Sequence, residues 1–252
     1  MFIKIDHLTY SSTNFNKDVS FFKALNYKIF FHEKKLPNLV IKKIFISFFK
    51  KTQDILLLTS KGNFNIELIN NLPNNNESYI IPFLYNIPRQ LILSESQQTL
   101  IKGKIIRAKL KDLDINIYHK KENDPKKFQF NKLVIQARNL KESILFWRNL
   151  GFKFKESYNN CALLEFKSII ESCSYYIYIR HSKKTKRYYL DNKGISYIAL
   201  ISTSVSSDRI DMEMAGYKVT EIEKAVINKK NLSIFFVIGP SGELVEVIGF
   251  DK

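Results

Sequence analysis

KALNYKIF at residues 23–30, RNLGFKF at 148–154 and MEMAGYKV at 212–219 are three versions of one phrase: the end of a helix, a tight turn and an aromatic-Lys pair. Asn26, Gly151 and Gly216 fall at one register, so adding 125 or 190 to a number in the first copy gives its counterpart without a gap. A β-rich segment precedes each copy at a fixed distance. Repetition of this kind means that the chain is assembled from copies of one supersecondary unit.

Working outward, FIKIDHLTY alternates as a strand does, and NKDVSFFKAL carries Val19, Phe22 and Leu25 at helical spacing. YKIFFHE, KKIFISFFKK and DILLLTSKGNFNIELIN then read as β-like runs separated by turn signals, which makes a βαβββ unit. The plan recurs in NKLVIQAR, KESILFWRNL, FKFKESY, NCALLEFKS and CSYYIYIRH. It recurs again in GISYIALIS, SSDRIDMEMAG, YKVTEIEKA and the hairpin SIFFVIGPSGELVEVIGF, with GPSG at its tip. The stretch 71–130 fits less well. NNLPNNNESYIIPFLYN reads as linker plus a short helix, RQLILSES as a first strand and GKIIRAKLKDLDINIYHKK as further strands, a second unit whose helix has been cut down or lost. KENDPKKFQF is the expected domain boundary, dividing the chain into 1–125 and 130–252.

Strand parity turns the repeat into geometry, because alternate side chains face opposite ways. If Leu8, Leu133, Ile135, Ile198 and Leu200 face the helices, then His7 and its register partners Lys132 and Tyr197 face the other, concave side. On the last strands the same rule packs Ile66, Leu68, Ile177, Ile179, Val245 and Val247 against helices. Glu67, Tyr178 and Glu246 then point into the hollow, with Arg180 one step further along the same face.

Composition limits the function. The chain has 252 residues, 45% hydrophobic and 13% aromatic, enough for large buried cores. Its net charge of +16 is carried by scattered Lys doublets and one cluster, Lys183, Lys184, Lys186 and Arg187, which is not the Arg-rich patch of a base reader; nucleic acid is disfavoured. Cys161 and Cys173 lack metal or disulfide spacing and read as small hydrophobes. MFIKIDHLTY has no signal-peptide pattern and no apolar run approaches the ~18 residues of a membrane span, so no membrane partner and a cytoplasmic location are expected. His32, His119 and His181 read as surface residues, and Trp147, in register with Phe22, as a helix core anchor.

These residues resemble the vicinal oxygen chelate superfamily, which includes glyoxalases, bleomycin-resistance proteins and extradiol dioxygenases. IDHLTY, LNYKIFFHEKKLP and NIELIN are similar in layout to methylmalonyl-CoA epimerase-like and glyoxalase-like proteins, and FFVIGPSGELVEV resembles the superfamily's closing hairpin. The resemblance implies an α+β fold of tandem βαβββ units forming two cupped, mainly antiparallel sheets around small-molecule cavities, with the second unit degenerate. It also implies a divalent metal ion held by first-strand and last-strand residues. Carried over, the ligands are His7, Glu67 and Gln90, with Asn116 or Tyr118 as a fourth. The corresponding set Lys132, Tyr178, Tyr197 and Glu246 suits no metal, since an ammonium repels a cation and neutral Tyr is a poor ligand. There, an ion pair between Lys132 and Glu246 is either a strut across the cup or part of a metal-free pocket. Pairing of the first unit with the last is the alternative arrangement, and it would bring His7 and Glu67 opposite Tyr197 and Glu246, giving one His/Glu/Glu metal site.

The resemblance implies an enzyme that abstracts a proton next to a carbonyl or acyl thioester, as an epimerase, isomerase or lyase. Its catalytic residues would be Glu67, Glu246, Tyr197 and Lys132, with Tyr178 and Arg180 binding substrate. The expected partner is a small molecule, anionic or carrier-linked; a homodimer is compatible. The alternatives are a non-catalytic protein that sequesters a small molecule and, if the cups are filled by their own side chains, a scaffold.

Overall fold

The computed structural model describes residues 1–70, 74–99, 104–110, 113, 116–120, 128–183 and 189–251. The first unit is β1 (Phe2–Ser11), α1 (Phe15–Ala24), β2 (Lys28–Pro37), β3 (Thr52–Thr59) and β4 (Ile66–Ile69), followed by the short β5 (Asn74–Glu77). The second is β6 (Ile80–Tyr85), a single 3-10 turn over Arg89–Leu91, β7 (Ile92–Thr99), β8 (Lys104–Leu110) and β9 (Asn116–Lys120). The third is β10 (Gln129–Ala137), α2 (Leu140–Asn149), β11 (Lys153–Tyr158), β12 (Cys161–Lys167) and β13 (Ser174–His181). After β14 (Asn192–Lys193), the fourth runs β15 (Ile195–Ser202), α3 (Val205–Met214), β16 (Lys218–Val219), β17 (Glu223–Ile227), β18 (Lys230–Ile238) and β19 (Leu244–Phe250).

The repeated turn is a helix C-cap. Asn26, Gly151 and Gly216 have φ of 65°, 91° and 85°, the left-handed conformation that Gly and Asn adopt most readily. In each copy the residue after the turn donates its N–H back into the helix: Tyr27 to the Phe22 carbonyl, Phe152 to Trp147 and Tyr217 to Met212. The turn residue itself donates to Lys23, Arg148 or Glu213. This is the Schellman pattern, and its apolar contact is present as edge-to-face rings, Phe22 on Tyr27 at 5.4 Å and Trp147 on Phe152 at 5.2 Å.

The strand parity is observed. Leu8, Ile66, Leu68, Leu133, Ile135, Ile177, Ile179, Ile198, Leu200, Val245 and Val247 share one core with Phe22, Phe146, Trp147 and Met212 from the helices. Tyr197, Ala199, Ile201 and Phe236 belong to a second apolar cluster, and Phe83, Tyr118, Val134 and Tyr178 to a third, on the opposite face.

In every unit the first strand runs parallel to the last: β1 with β4, β6 with β9, β10 with β13 and β15 with β19. The units then join across the two halves of the chain. β1 lies antiparallel to β15, with Thr9 opposite Tyr197, and β10 lies antiparallel to β6, with Val134 opposite Ile81. One cup therefore combines units one and four, and the other combines two and three. Residues 1–125 and 130–252 are halves of the sequence, and each contributes one unit to each cup.

Two local expectations are corrected. YIIPFLY is the first strand of unit two; its six strand residues are all buried, so they lack the alternation that would have distinguished a strand from a short helix. RQLILSES is accordingly the one-turn helix and second strand. KKIFISFFKK does not form a strand, because Val40–Phe45 is a 3-10 helix crossing from β2 to β3. The expected boundary KENDPKKFQF lies mostly outside the described residues, as do Lys184, Lys186 and Arg187.

Candidate functional site

The cup of units one and four opens into a cleft of about 1430 Å³ that also reaches Ile170–Cys173 and Tyr175 of unit three. Its walls include Leu39, Ile55, Leu57, Ile201 and Ile234, while Lys28, Lys61 and Lys230 reach it from exposed positions. Among the buried titratable side chains that line it, four meet at one point: His7 on β1, Glu67 on β4, Glu246 on β19 and Lys42 on the 3-10 helix. Tyr197, on β15, is fully buried beside them.

Glu67 is held tightly at one oxygen. Thr9 Oγ1 donates to Glu67 Oε2 at 2.9 Å, Tyr197 Oη donates to the same atom at 3.3 Å, and His7 Nε2 stands 3.4 Å from it. Glu246 is held more loosely, with its Oε2 3.6 Å from His7 Nε2 and its Oε1 3.7 Å from Lys42 Nζ. Lys42 Nζ also donates to Tyr197 Oη at 3.3 Å. His7 Nδ1 meets Asp6 Oδ2 at 3.0 Å, whereas buried His7 Nε2 has no aligned hydrogen-bond partner and points between the two glutamates.

Burial opposes charge on His7, Glu67 and Tyr197, and their neighbours decide the outcome. The His7 imidazole is pushed well above its ordinary value of 6.5, because the Glu67 charge, the contact with Asp6 and the proximity of Glu246 outweigh desolvation. Glu67 is drawn down to about 2 against its own desolvation, chiefly by His7, then by Lys42 and the Thr9 hydroxyl. Tyr197 is pushed well above 10 by burial and by the nearby Glu246 and Glu67, so it remains a neutral donor.

These shifts give stability a sign. Glu67 is depressed in the folded state, so its contribution is present above its ordinary 4.5 and is lost as pH falls toward about 2. His7 is raised, so its contribution is complete below 6.5 and is lost as pH rises through its folded value. Thermal melts across pH should show both flanks, and Glu67→Gln should flatten the acid one; an unchanged acid flank would contradict the pairing.

The sequence-derived site residues separate into two groups. His7, Glu67, Tyr197 and Glu246 come together. Lys132 does not join them: on β10 its Nζ donates to Tyr85 Oη at 2.7 Å and sits over the Tyr85 and Tyr176 rings, so the expected Lys132–Glu246 pair is replaced by Glu246 with Lys42 and His7. Arg180 donates to Tyr118 Oη at 2.9 Å, and Tyr178 stacks obliquely on Phe83 at 5.8 Å. Among the described residues, Phe83, Tyr85, Tyr118 and Tyr178 form an aromatic lining on the concave face of units two and three. Gln90 is exposed on the one-turn helix, and Ile81 and Phe83 of β6 occupy the concave positions of that unit. Asn116 and Tyr118 lie on β9, again in the second cup's units. His119, expected at the surface, is 3% exposed and lies 3.3 Å from Glu95, because β9 is flanked by β6 and β8.

Lys42 is the site residue that sequence reading missed. It sits in a Lys-Lys doublet of the kind that is usually solvated, and only the pairing of units reveals what covers it.

A divalent ion does not fit this set as it stands. His7, Glu67 and Glu246 would offer three donors, but the fourth position is a neutral phenol, and the Lys42 ammonium is packed against both that phenol and Glu246.

No protein-family model matches the chain, and no curated protein matches it in sequence. Solved structures do resemble it. Glyoxalase I from Zea mays superposes with a TM-score of 0.65 at 12% identity, covering 98% of this chain and 92% of that one. A variant of the same enzyme gives 0.66 at 12%, covering 98% and 93%. A candidate dioxygenase from Bacillus subtilis subsp. subtilis str. 168 gives 0.65 at 10%, covering 100% and 86%. At such identities the likeness is one of fold: the chain has the vicinal oxygen chelate fold. Among the described residues, no helix is long and apolar enough to cross a membrane.

Proposed function

We propose that the cup of units one and four binds a small molecule bearing a carbonyl or acyl thioester and moves a proton at the adjacent carbon. The observation that carries this reading is the meeting of a loosely held carboxylate, Glu246, with the His7 imidazole beside a cavity walled by apolar side chains. Glu246 is the base. Glu67, drawn down to about 2 and engaged by Thr9, is too weak a base and instead orients His7 and Tyr197. A general base of this kind contributes about 10²–10⁴-fold when placed against its proton. His7, which lines the cavity, is the donor available to an oxygen on which charge develops, where preorganised hydrogen bonds count most, while Tyr197, fully buried with its proton on Glu67, holds that carboxylate in place.

The open mouth of the cleft leaves room for a substrate with a bulky or carrier-linked body, and the lysines at exposed positions favour an anionic one. The same volume with apolar walls favours sequestration as the second reading. Incubation of the protein in D₂O with short acyl thioesters, α-hydroxyketones and 2-oxo acids separates the two. Deuterium entering next to the carbonyl is the expected result. Probes that bind without exchange would move the assignment to sequestration.

A further inference from the structure

Lys42 is a buried cation that the proton-transfer reading does not require. Its side chain is 3% exposed, and its Nζ lies 3.3 Å from Tyr197 Oη, 3.7 Å from Glu246 Oε1 and 5.7 and 5.9 Å from the centres of the Tyr197 and Phe236 rings. Its placement is built into the fold from both ends of its helix. Glu223, on β17, accepts the Val40 and Ile41 N–H groups with its two oxygens at 3.0 Å each. Beyond the helix, Asp191 accepts the Ser47 N–H at 2.9 Å, and the Leu190 N–H donates to the Phe45 carbonyl at 2.6 Å. The Phe45 ring packs on Phe236 at 5.6 Å. A segment of unit one is thus fastened onto unit four in a position that delivers an ammonium to the carboxylate of the closing strand.

Accepting the cup of units one and four as the working site, we propose that Lys42 is its resident cation, standing where a divalent ion would act, so that the cup takes the oxygen of a carbonyl or carboxylate ligand without metal. A lysine ammonium is a compact point charge on a flexible stem, able to neutralise Glu246 and to face an oxygen that gains negative charge. Its proximity to Glu246 and Tyr197 places a positive charge among the donors a metal would need, and like charges at such separations repel strongly in a buried site.

The test is metal binding by the purified protein, carrying no His-tag, and by Lys42→Met, using zinc, cobalt, nickel and manganese as probes. Elemental mass spectrometry after desalting and calorimetric titration read the result without any turnover. Wild type should retain no ion. Lys42→Met should take up about one ion per chain and bind it on the order of 100-fold or more tighter than wild type, through His7, Glu67 and Glu246. That ion should raise the variant's melting temperature and be lost when His7→Ala is added. Lys42→Gln, which keeps a donor near Tyr197, serves if the Met variant does not fold.

A wild-type protein that holds one ion, lost on His7→Ala, would overturn the role of Lys42 while leaving proton transfer in the cup open. Folded Lys42 variants that bind no ion would also overturn it. Absence of deuterium exchange in a metal-free wild type would count against the proton-transfer reading alone.

Discussion

Glu67→Ala is expected to destabilise the protein by about 3–5 kcal/mol, the usual cost of removing one partner from a buried ion pair. The carboxylate is 6% exposed and receives Thr9 and Tyr197 at one oxygen while facing His7. Its removal leaves a buried hydroxyl and imidazole without their acceptor, and only Glu246 to balance the cations of the cup. For a chain of this size the loss corresponds to a fall in melting temperature on the order of 10 °C. Urea denaturation of both proteins, followed by Trp147 fluorescence, measures it. A loss below about 1 kcal/mol would mean that the cluster is hydrated and weakly coupled in solution. Glu67→Gln should lose less, since the amide oxygen can still accept from Thr9.

Glu246→Gln should have its effect on chemistry. The substitution keeps volume and hydrogen-bonding capacity but cannot take a proton, so deuterium exchange of an accepted probe should slow by about 10²–10⁴-fold. Probe binding should persist, because the apolar walls and the lysines around the cavity are untouched. An undiminished exchange rate would remove Glu246 as the base. Loss of binding together with rate would instead assign it to holding the ligand.

Both arguments use residues whose orientation was legible in the sequence. The register of Asn26, Gly151 and Gly216 identified the helix caps, because a left-handed turn residue is a local requirement that three copies repeat. The common register of β1, β4, β15 and β19, with strand parity, placed His7, Glu67, Tyr197 and Glu246 on one face although β4 and β15 are buried throughout. The choice of partner for that face is set by long-range pairing, and a period of two carries no information about it. Hence the sequence left the union of units one and four open, and the expected Lys132–Glu246 pair divided between the cups. Gln90 was misplaced because β6, buried throughout, shows no alternation to mark it as a first strand. Lys42 was illegible for another reason: its partners Tyr197 and Glu246, and the Glu223 and Asp191 carboxylates that anchor its segment, lie more than a hundred residues away along the chain.

The convergence of His7 with Glu246 across the two halves of the chain is the centre of this account, and imidazole NMR tests it without a ligand. The protein has four histidines, so ¹⁵N-histidine labelling with a His7→Ala spectrum for assignment isolates one ring. In wild type the His7 imidazolium should persist well above pH 6.5, and Glu246→Gln should lower its titration midpoint, since Glu246 is one of the groups that hold the proton. A His7 that titrates near 6.5 and is indifferent to Glu246→Gln would contradict the shared cup.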